Sequence, residues 1–389
     1  MQNFIFNTPT KIYFGKEEYK KIGQVLSELG YKKVMIQFGK GSAIKSGLLS
    51  EIENLLNESG ISFVECGGVE PNPKLSFIRK ATELAIKEKV DFILAVGGGS
   101  AIDSSKYTAL SAFNNCDAWD FILGKVSPKG AIPLGVILTI SAAGSEMSSS
   151  AVLTNEELNI KKGFTTEFNR PKISFLCPEL TFSVNTYQTA CGVVDIMAHT
   201  MERYFTNVED VDLTDGIAEA LLKTVVKWGK IAIKEPENYT ARANLMWASS
   251  LSHNGLTGAG RENYLAVHQL EHALSGVFDS VAHGAGLSVL FPAWAKFVYK
   301  YKIERFARFA KSVFNVEESD PLKAAFQGIL KMENFFKSIG MPTTLRELGV
   351  CKKDIETLSL NCSRNKTITV KNYIPLGYTE IKQIFEICL

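Results

Sequence analysis

The strongest constraint on the fold is the alternation of short apolar runs with longer amphipathic stretches between residue 32 and about residue 178. The short runs are rich in β-branched and aromatic residues, which favour strands, whereas the longer stretches have helical spacing. Strands that alternate with helices in this way form a parallel sheet. The pattern therefore predicts a Rossmann-like α/β domain. The predicted strands are KKVMIQF, ISFVEC, DFILAV and IPLGVIL.

Beyond about Thr186 the strand signals fade, and long helical patterns such as DGIAEALLKTVVKWGKIAI follow one another to the end of the chain. A chain of 389 residues is too long for one hydrophobic core, so two domains are expected. Pro178 and the TFSVNT stretch provide a hinge. We predict an α/β domain over residues 1–186 and an all-α domain over residues 187–389.

Composition and charge exclude several classes of function. No apolar run reaches the roughly 18 residues that a membrane span needs. A net charge of +2, with interspersed acids and bases, leaves no electrostatic footprint for nucleic acid. The amino terminus lacks the layout of a signal peptide, and the seven cysteines never form a CxxC pair. We expect a cytoplasmic protein with reduced thiols and a small-molecule partner.

The run DFILAVGGGSAIDSSKYTAL predicts a phosphate site. Its strand ends in Gly97, Gly98 and Gly99, and a helix opens with Ser100 near its start. Glycine lets the backbone approach an anion closely, and free N–H groups at a helix start attract negative charge. The run does not match GxGxxG, so a simple tight turn is an alternative, but its place between strand and helix favours a pyrophosphate.

A second candidate for cofactor contact is TISAAGSE, from Thr139 to Glu146. It also follows an apolar strand and is crowded with small residues and hydroxyl groups. The alternative for this stretch is a capped helix start without a ligand.

The loop FGKGS, after the first predicted strand, bears on the choice of cofactor. Gly39, Lys40 and Ser42 lie where a dinucleotide fold often carries an acidic residue for the adenosine ribose. No acid is present, and Lys40 or Ser42 could contact a 2′-phosphate. The loop therefore favours NADP(H) over NAD(H).

Four of the five histidines lie in two short patterns, which indicates a metal site. Asp195 and His199 are four residues apart in VVDIMAHT, and His268, His272 and His283 occur in VHQLEHALSGVFDSVAHGAG. Side chains at i and i+4 share one face of a helix. A lone histidine is usually a core or surface residue, but two such pairs and a glycine-flanked third histidine favour a mixed nitrogen and oxygen site.

Three neutral imidazoles and one carboxylate suit Fe(II), Zn(II) or similar ions, and leave a position open for a substrate oxygen. The fifth histidine, His253, lies away from both patterns in the sequence, and we assign it no role.

These motifs together resemble those of the iron-containing (group III) alcohol dehydrogenases, particularly the butanol dehydrogenase and broad-range aldehyde reductase branch. The resemblance covers nearly the whole chain and rests on GGGSAID, GSEM, GVVDIMAHTMERY, RANLMWASS with NGLTGAG, and the HxxxH…HGAG pattern. It implies an amino-terminal dinucleotide-binding domain, a helical metal-binding domain, and a homodimer or larger homo-oligomer.

The resemblance also implies roles for individual residues. Asp195, His199, His268 and His283 match the metal ligands, and His272 matches a histidine proposed to move a proton. The implied cofactor contacts, in addition to Gly39, Lys40 and Ser42, are Asn72, Gly97, Gly98, Gly99, Ser100, Asp103, Thr139, Ser141, Lys161, Leu180 and Val184.

Three features depart from the family pattern. The interval from His268 to His283 is one residue longer than is usual. Ser141 and Ser148 replace a common proline and a common asparagine, so Ser148 is a candidate substrate contact. Arg261 stands at a position that is usually uncharged; it is either a surface arginine or a partner for an anionic group on the substrate.

The sequence therefore predicts a metal-dependent alcohol dehydrogenase or aldehyde reductase that moves hydride between NAD(P)H and a small aldehyde such as butanal. One alternative is a reductase of an anionic aldehyde such as sulfoacetaldehyde or succinate semialdehyde. Others are an enzyme acting on glycerol, a metal-assisted elimination on a sugar phosphate, and a non-redox protein that binds metal or nucleotide.

Overall fold

The computed structural model describes all residues from Met1 to Leu389. The chain divides into two compact units, one formed by Thr8–Ser183 and the other by Val184–Leu389 together with Met1–Asn7. The division differs from the predicted boundary in that the second unit begins at Val184 and includes the first seven residues. Those residues group with the second unit because the Gln2 N–H donates to the Gly260 carbonyl at 2.9 Å.

The first unit contains the strands of the protein, and the strands predicted from the apolar runs are present as β2 to β5. The strands are β1 (Lys11–Phe14), β2 (Lys33–Gly39), β3 (Ser62–Val69), β4 (Phe92–Gly97), β5 (Leu134–Leu138), β6 (Ser150–Asn155), β7 (Ile160–Thr165) and β8 (Ile173–Leu176). Six of them form one parallel sheet in the order β1-β8-β5-β4-β2-β3. The predicted α/β fold is confirmed.

An antiparallel hairpin of β6 and β7 lies outside that sheet, with Ser150 opposite Thr165. The sequence analysis did not predict it. The strand β7 reads IKKGFT, and its two lysines and its glycine interrupt the apolar alternation from which a strand is predicted.

The helices of the first unit follow the amphipathic stretches between its strands. In α3, for example, Leu49, Ile52 and Leu56 recur at helical spacing and are buried. The helices are α1 (Ile22–Glu28), α2 (Ser42–Lys45), α3 (Leu48–Glu58), α4 (Leu75–Glu88), α5 (Gly99–Asn114) and α6 (Ala118–Ile122).

The strand order defines where a ligand can bind in the first unit. The chain leaves β2 towards β3 on one side, whereas it leaves β4 towards β5 on the other side, and β2 and β4 are neighbours. Crossovers that diverge in this way open a crevice at the carboxyl ends of the two strands. Those ends are Gly39 and Gly97, both of which begin loops predicted to contact the cofactor.

The second unit is helical, as predicted. Its helices are α7 (Thr186–Tyr204), α8 (Asp212–Lys234), α9 (Tyr239–His253), α10 (Ala266–Val277), α11 (His283–Val298), α12 (Ile303–Phe314), α13 (Pro321–Ser338), α14 (Ile355–Cys362) and α15 (Tyr378–Ile387). They enclose one continuous hydrophobic core.

Helix α7 is buried almost all the way round from Thr189 to Tyr204. Its polar side chains therefore need partners inside the protein, since an unpartnered polar group is costly to bury. None of the helices combines the length and the apolar character that crossing a membrane requires.

Candidate metal centre and cofactor site

One face of α7 carries the first half of the candidate metal centre. Asp195, His199 and Glu202 are spaced i, i+4 and i+7, so their side chains line one side of the helix. All three are buried. A sequence that places three ionisable groups on one buried face must provide compensating groups or an ion there.

Three imidazole nitrogens surround a single carboxylate oxygen. The Nε2 atoms of His199, His268 and His283 lie 3.4, 3.7 and 3.7 Å from Asp195 Oδ1. Ligands held at metal–ligand distances of about 2.0–2.2 Å in a tetrahedral site are about 3.3–3.6 Å apart. Each of the three nitrogens therefore lies close to ligand spacing from Asp195 Oδ1. Asp195, His199 and His268 group together as possible ligands of one ion, whereas His283 groups with Glu271 and His272.

The HGAG motif explains how His283 reaches this centre. A Cβ on Gly284 would overlap the backbone of Cys191, so only glycine lets the start of α11 lie this close to α7. The interval with the additional residue runs through the end of α10 and residues 278–282 and leaves His283 Nε2 within 3.7 Å of Asp195.

Two of these atoms are buried without a hydrogen-bond partner, Asp195 Oδ1 and His268 Nε2. A buried polar atom that lacks a partner costs about 1–3 kcal/mol. A divalent cation bonded to both atoms would remove that cost, and imidazole with carboxylate is a donor set that Fe(II) and Zn(II) accept. The residues present thus fit the metal that the motifs predict.

The pKa values of His199 and His268 are shifted in opposite directions. Burial, and next the rings of His253 and His268, hold the pKa of His199 well below its usual range, so His199 is neutral. Burial alone would lower the pKa of His268, but Glu202 and Asp195 overcome that effect and raise it to about 9. A metal must therefore displace a proton from His268, as is usual when metals bind histidine.

Two glutamates that the sequence analysis missed contact the ligand histidines. Glu202 Oε2 lies 2.5 Å from His268 Nδ1, and Glu271 forms an ion pair with His283 Nδ1. A signal for both was present in the sequence. Glu202 is seven residues after Asp195, and Glu271 is three after His268, which places each glutamate on the helix face of a predicted ligand.

His253 also belongs to the centre, although we assigned it no role. Its ring centroid lies 4.0 Å from that of His199, because α9 packs against α7. His272 lies 5.9 Å from His283 and 6.4 Å from His268 between ring centroids. All five histidines are therefore linked in one cluster, but no spacing in the sequence connects His253 with the others.

The prediction that Arg261 is a surface arginine was wrong, and its role as a partner for a substrate stays a prediction. Its side chain is fully buried, and Nη2 lies 2.7 Å from Asp215 Oδ1. Asp215 is also paired with Arg305 and Arg308. The arginine is therefore held inside the unit by an acid that it shares with Arg305 and Arg308.

The glycine turn lies at the start of α5 as the phosphate site requires. Gly97 ends β4 with a φ of +156°, and a Cβ on Gly98 would overlap Ile140. The Thr139 N–H donates to the Gly97 carbonyl at 3.1 Å. The two small-residue stretches predicted to contact the cofactor are therefore adjacent, and Ser100 lies in the first turn of α5.

The stretch from Thr139 to Glu146 is a loop, so the alternative of a helix start is wrong. Within it the hydroxyl of Ser141 is buried and has no hydrogen-bond partner. A hydroxyl of this kind beside a glycine turn offers a hydrogen bond to a bound group. The loop therefore has the composition and the unpaired donor that a phosphate contact needs.

Asp103 and Ser148 take part in a buried network around Lys106. Asp103 accepts hydrogen bonds from Ser145 Oγ at 2.5 Å and from the Val152 N–H at 2.8 Å. Lys106 Nζ donates to Ser145 Oγ, to both oxygens of Ser148 and to the Ser150 carbonyl. Burial lowers the pKa of Lys106 to about 8.

The hydroxyl of Ser148 is buried and bonded to Lys106 and to the Ser150 carbonyl, and its contact with a substrate stays a prediction. Asp103 has both oxygens in use, so its contact with the cofactor stays a prediction.

The remaining predicted cofactor contacts are spread over several elements. Lys161 Nζ donates to Asn72 Oδ1 at 3.0 Å, so these two are together. Lys40, after β2, forms an exposed ion pair with Glu70, after β3. Leu180 packs against the core of the first unit, whereas Val184 belongs to the second unit.

Comparisons with known proteins cover both units. Residues 9–178 match the family described as iron-containing alcohol dehydrogenase, and residues 189–389 match the carboxy-terminal part of the Fe-containing alcohol dehydrogenase family. NADH-dependent butanol dehydrogenase A of Clostridium acetobutylicum is 39% identical over 388 residues, with 99% of each chain covered. NADPH-dependent aldehyde reductase YqhD of Escherichia coli is 36% identical over 361 residues, 92% of each chain.

A solved structure is similar over the same extent. The crystal structure of NADH-dependent butanol dehydrogenase A from Thermotoga maritima has a TM-score of 0.96 and 37% identity, and covers 100% of this chain and 99% of that chain. The similarity therefore includes both the α/β unit and the helical unit.

Proposed function

Because this chain belongs to the iron-containing alcohol dehydrogenase family and is an NAD(P)-dependent oxidoreductase, we propose that its helical unit holds one divalent ion through Asp195, His199, His268 and His283. The observation that carries this proposal is the set of three Nε2 atoms around the unpartnered Asp195 Oδ1. Fe(II) is the proposed ion, on the family's description, and Zn(II) accepts the same donors.

In aldehyde reduction, His199 and His272 have different proposed roles. A bound divalent ion supplies a Lewis acid that polarises a carbonyl, and NAD(P)H supplies the hydride. His199, kept neutral by burial, has a lone pair to offer. His272 is half-buried and lies next to His283, where it can pass a proton between solvent and the product oxygen.

We infer that the preferred cofactor is NADPH. Support comes from the loop after β2, which carries Lys40 and Ser42 and no acid that would repel a 2′-phosphate. Lys40 pairs with Glu70 only through an exposed contact, and exposed ion pairs contribute about 0–1 kcal/mol, so a phosphate can displace the glutamate. The relatives use both cofactors, since the butanol dehydrogenases are named as NADH-dependent and YqhD as NADPH-dependent.

We infer that the substrate is a small neutral aldehyde such as butanal. The names of the relatives support this choice. The anionic alternative depends on Arg261, whose guanidinium is buried and paired with Asp215 inside the helical unit. This pairing supports a neutral substrate over sulfoacetaldehyde or succinate semialdehyde.

We also propose that the enzyme is cytoplasmic and forms a homodimer or a larger homo-oligomer. Seven cysteines without a disulfide suit a reducing compartment. The amino-terminal segment exposes apolar side chains, including Phe4 at 52% and Ile5 at 97%, and clustered exposed apolar groups are typical of an interface.

The test is anaerobic oxidation of NADPH and of NADH by Fe(II)-loaded protein with butanal and with sulfoacetaldehyde. We expect turnover with butanal, and a higher kcat/KM with NADPH than with NADH. Metal bound at one equivalent without oxidation of either cofactor by any aldehyde would overturn the proposal. Faster turnover of sulfoacetaldehyde than of butanal would reject the neutral substrate.

His272→Ala tests the proton step in the same assay. General acid catalysis typically contributes about 10²- to 10⁴-fold, so we expect kcat to fall by about 100-fold while one equivalent of metal stays bound. Loss of the metal from this variant would instead make His272 a ligand.

A further inference from the structure

Given the proposed metal site, we propose that Glu202 and Glu271 are positioning residues that fix the ring orientation and tautomer of His268 and His283. Each glutamate binds Nδ1, the nitrogen on the side of the ring away from Asp195. Each therefore directs an Nε2 lone pair towards the position of the ion. A metal-binding histidine commonly needs such a partner on its other nitrogen.

Glu202 connects two helices through two hydrogen bonds. Its Oε1 accepts from the Val267 N–H in the first turn of α10, and its Oε2 lies 2.5 Å from His268 Nδ1. The residue before α10, Leu265, has a left-handed φ of 50° and provides no side-chain cap. Glu202 therefore caps α10 from α7 and orients the next residue, His268, at the same time.

The chemistry of the two partners explains why a carboxylate is needed. A carboxylate only accepts hydrogen bonds, so the nitrogen that faces it must carry the proton. With the proton on Nδ1, a neutral His268 presents an unprotonated Nε2. The two contacts use the two different oxygens of Glu202, so an amide at position 202 would place a donating nitrogen opposite one of the two N–H groups.

Glu271 has the corresponding relation to His283. Its side chain is fully buried and pairs with His283 Nδ1. A Cβ on Gly286 would lie 2.8 Å from Glu271 Cγ, so the second glycine of HGAG leaves room for this glutamate. Glu271, His272 and His283 could also hold an ion themselves, which is the competing role that the experiment has to separate.

His199 is held differently, which makes the proposal specific. An Arg203 N–H donates to the His199 carbonyl at 2.6 Å, and the same nitrogen is 3.5 Å from Nδ1, so a donor rather than a carboxylate faces this ring. The ring instead packs on His253. Only the two histidines from α10 and α11 depend on a carboxylate.

The experiment compares Glu202→Gln and Glu271→Gln with a matched control, Glu333→Gln. Glu333 is a partly buried glutamate of the same unit that pairs with Lys296 at 2.6 Å, away from the cluster. The readouts are the Zn²⁺ dissociation constant by chelator competition and the visible d–d spectrum of the Co²⁺-substituted protein. Thermal unfolding and NADPH binding check that each variant is folded.

We expect Glu202→Gln and Glu271→Gln each to bind Zn²⁺ about 10- to 100-fold more weakly than wild type and to have an altered Co²⁺ spectrum. The control Glu333→Gln should have the wild-type affinity and spectrum. Glu271→Asp keeps a carboxylate and should recover part of the affinity. Should either Gln variant fail to fold, Gly286→Ala displaces Glu271 without removing a polar group and should weaken Zn²⁺ binding in the same direction.

The outcomes separate this inference from the proposed metal site. Wild-type protein that binds neither Zn²⁺ nor Co²⁺ would reject the metal site itself. Normal wild-type binding together with wild-type affinity and spectra in both Gln variants would reject only the positioning role. A loss of Zn²⁺ in Glu271→Gln as complete as in His268→Ala would make Glu271 a ligand and also overturn the inference.

Discussion

The candidate sites of the two units consist of different chemical groups. The α/β unit uses backbone groups, glycines and hydroxyls at the carboxyl ends of β2 and β4. The helical unit uses ionisable side chains that lie on α7, α10 and α11, and Asp195, His199 and His268 are only 4–6% exposed.

This difference decides what each site can tolerate. A cradle of backbone groups depends on the space that a missing Cβ leaves, so its weak points are glycines. A buried polar centre depends on complete hydrogen bonding and charge balance, so loss of one partner leaves others uncompensated. The predictions below test whether the two sites fail independently and for these two reasons.

The largest effect is expected from His268→Ala in the helical unit. Loss of this ligand should remove the metal and lower kcat/KM by at least about 10³-fold, since a Lewis acid is worth several kcal/mol. NADPH binding, measured by fluorescence titration, should stay within about twofold of wild type. Retention of one equivalent of metal in this variant would mean that the ligand set is wrong.

The second largest effect is expected on the free energy of unfolding, when the ion pairs of Asp215 are removed. Asp215→Asn leaves the fully buried Arg261 without a counter-charge and should lower the free energy of unfolding by about 3–5 kcal/mol in denaturant titration. Arg261→Met should cost less, because Asp215 keeps Arg305 and Arg308.

In Arg261→Met the ratio of kcat/KM for butanal and sulfoacetaldehyde should equal that of wild type. A selective loss of activity on sulfoacetaldehyde would restore Arg261 as a substrate residue.

The smallest effect is expected from Gly98→Ala in the α/β unit. The added Cβ overlaps Ile140, and overpacking costs about 1–3 kcal/mol, so we expect the Kd for NADPH to rise by about tenfold. Gly163→Ala is the control, since its Cβ meets nothing closer than 3.7 Å. Zn²⁺ affinity should be unchanged in both variants, and a parallel loss of metal would show that the sites are not independent.

Local patterns predicted much of this molecule. The continuous apolar runs before Gly39 and Gly97 predicted β2 and β4, because a strand inside a parallel sheet is buried on both faces. The i, i+4 spacing of Asp195 and His199 predicted a shared face because helix geometry is local. The hairpin of β6 and β7 was missed, since its lysines and glycine conceal the strand period.

Partners that come from distant parts of the chain could not be predicted in this way. Arg261 pairs with Asp215, which lies 46 positions earlier in the chain. His253 contacts His199 because α9 packs on α7. Neither contact leaves a periodic signal in the chain.

The sequence by itself determined the fold class, the family and the candidate ligands and cofactor loops, because periodicity, glycine turns and donor types are properties of short segments. Only the tertiary structure decided which ionisable groups pair with one another: Arg261 with Asp215, His268 with Glu202, and His283 with Glu271. The reason is physical. A buried polar group requires a partner, but any suitably placed donor or acceptor can satisfy it, and helix packing alone selects which one does.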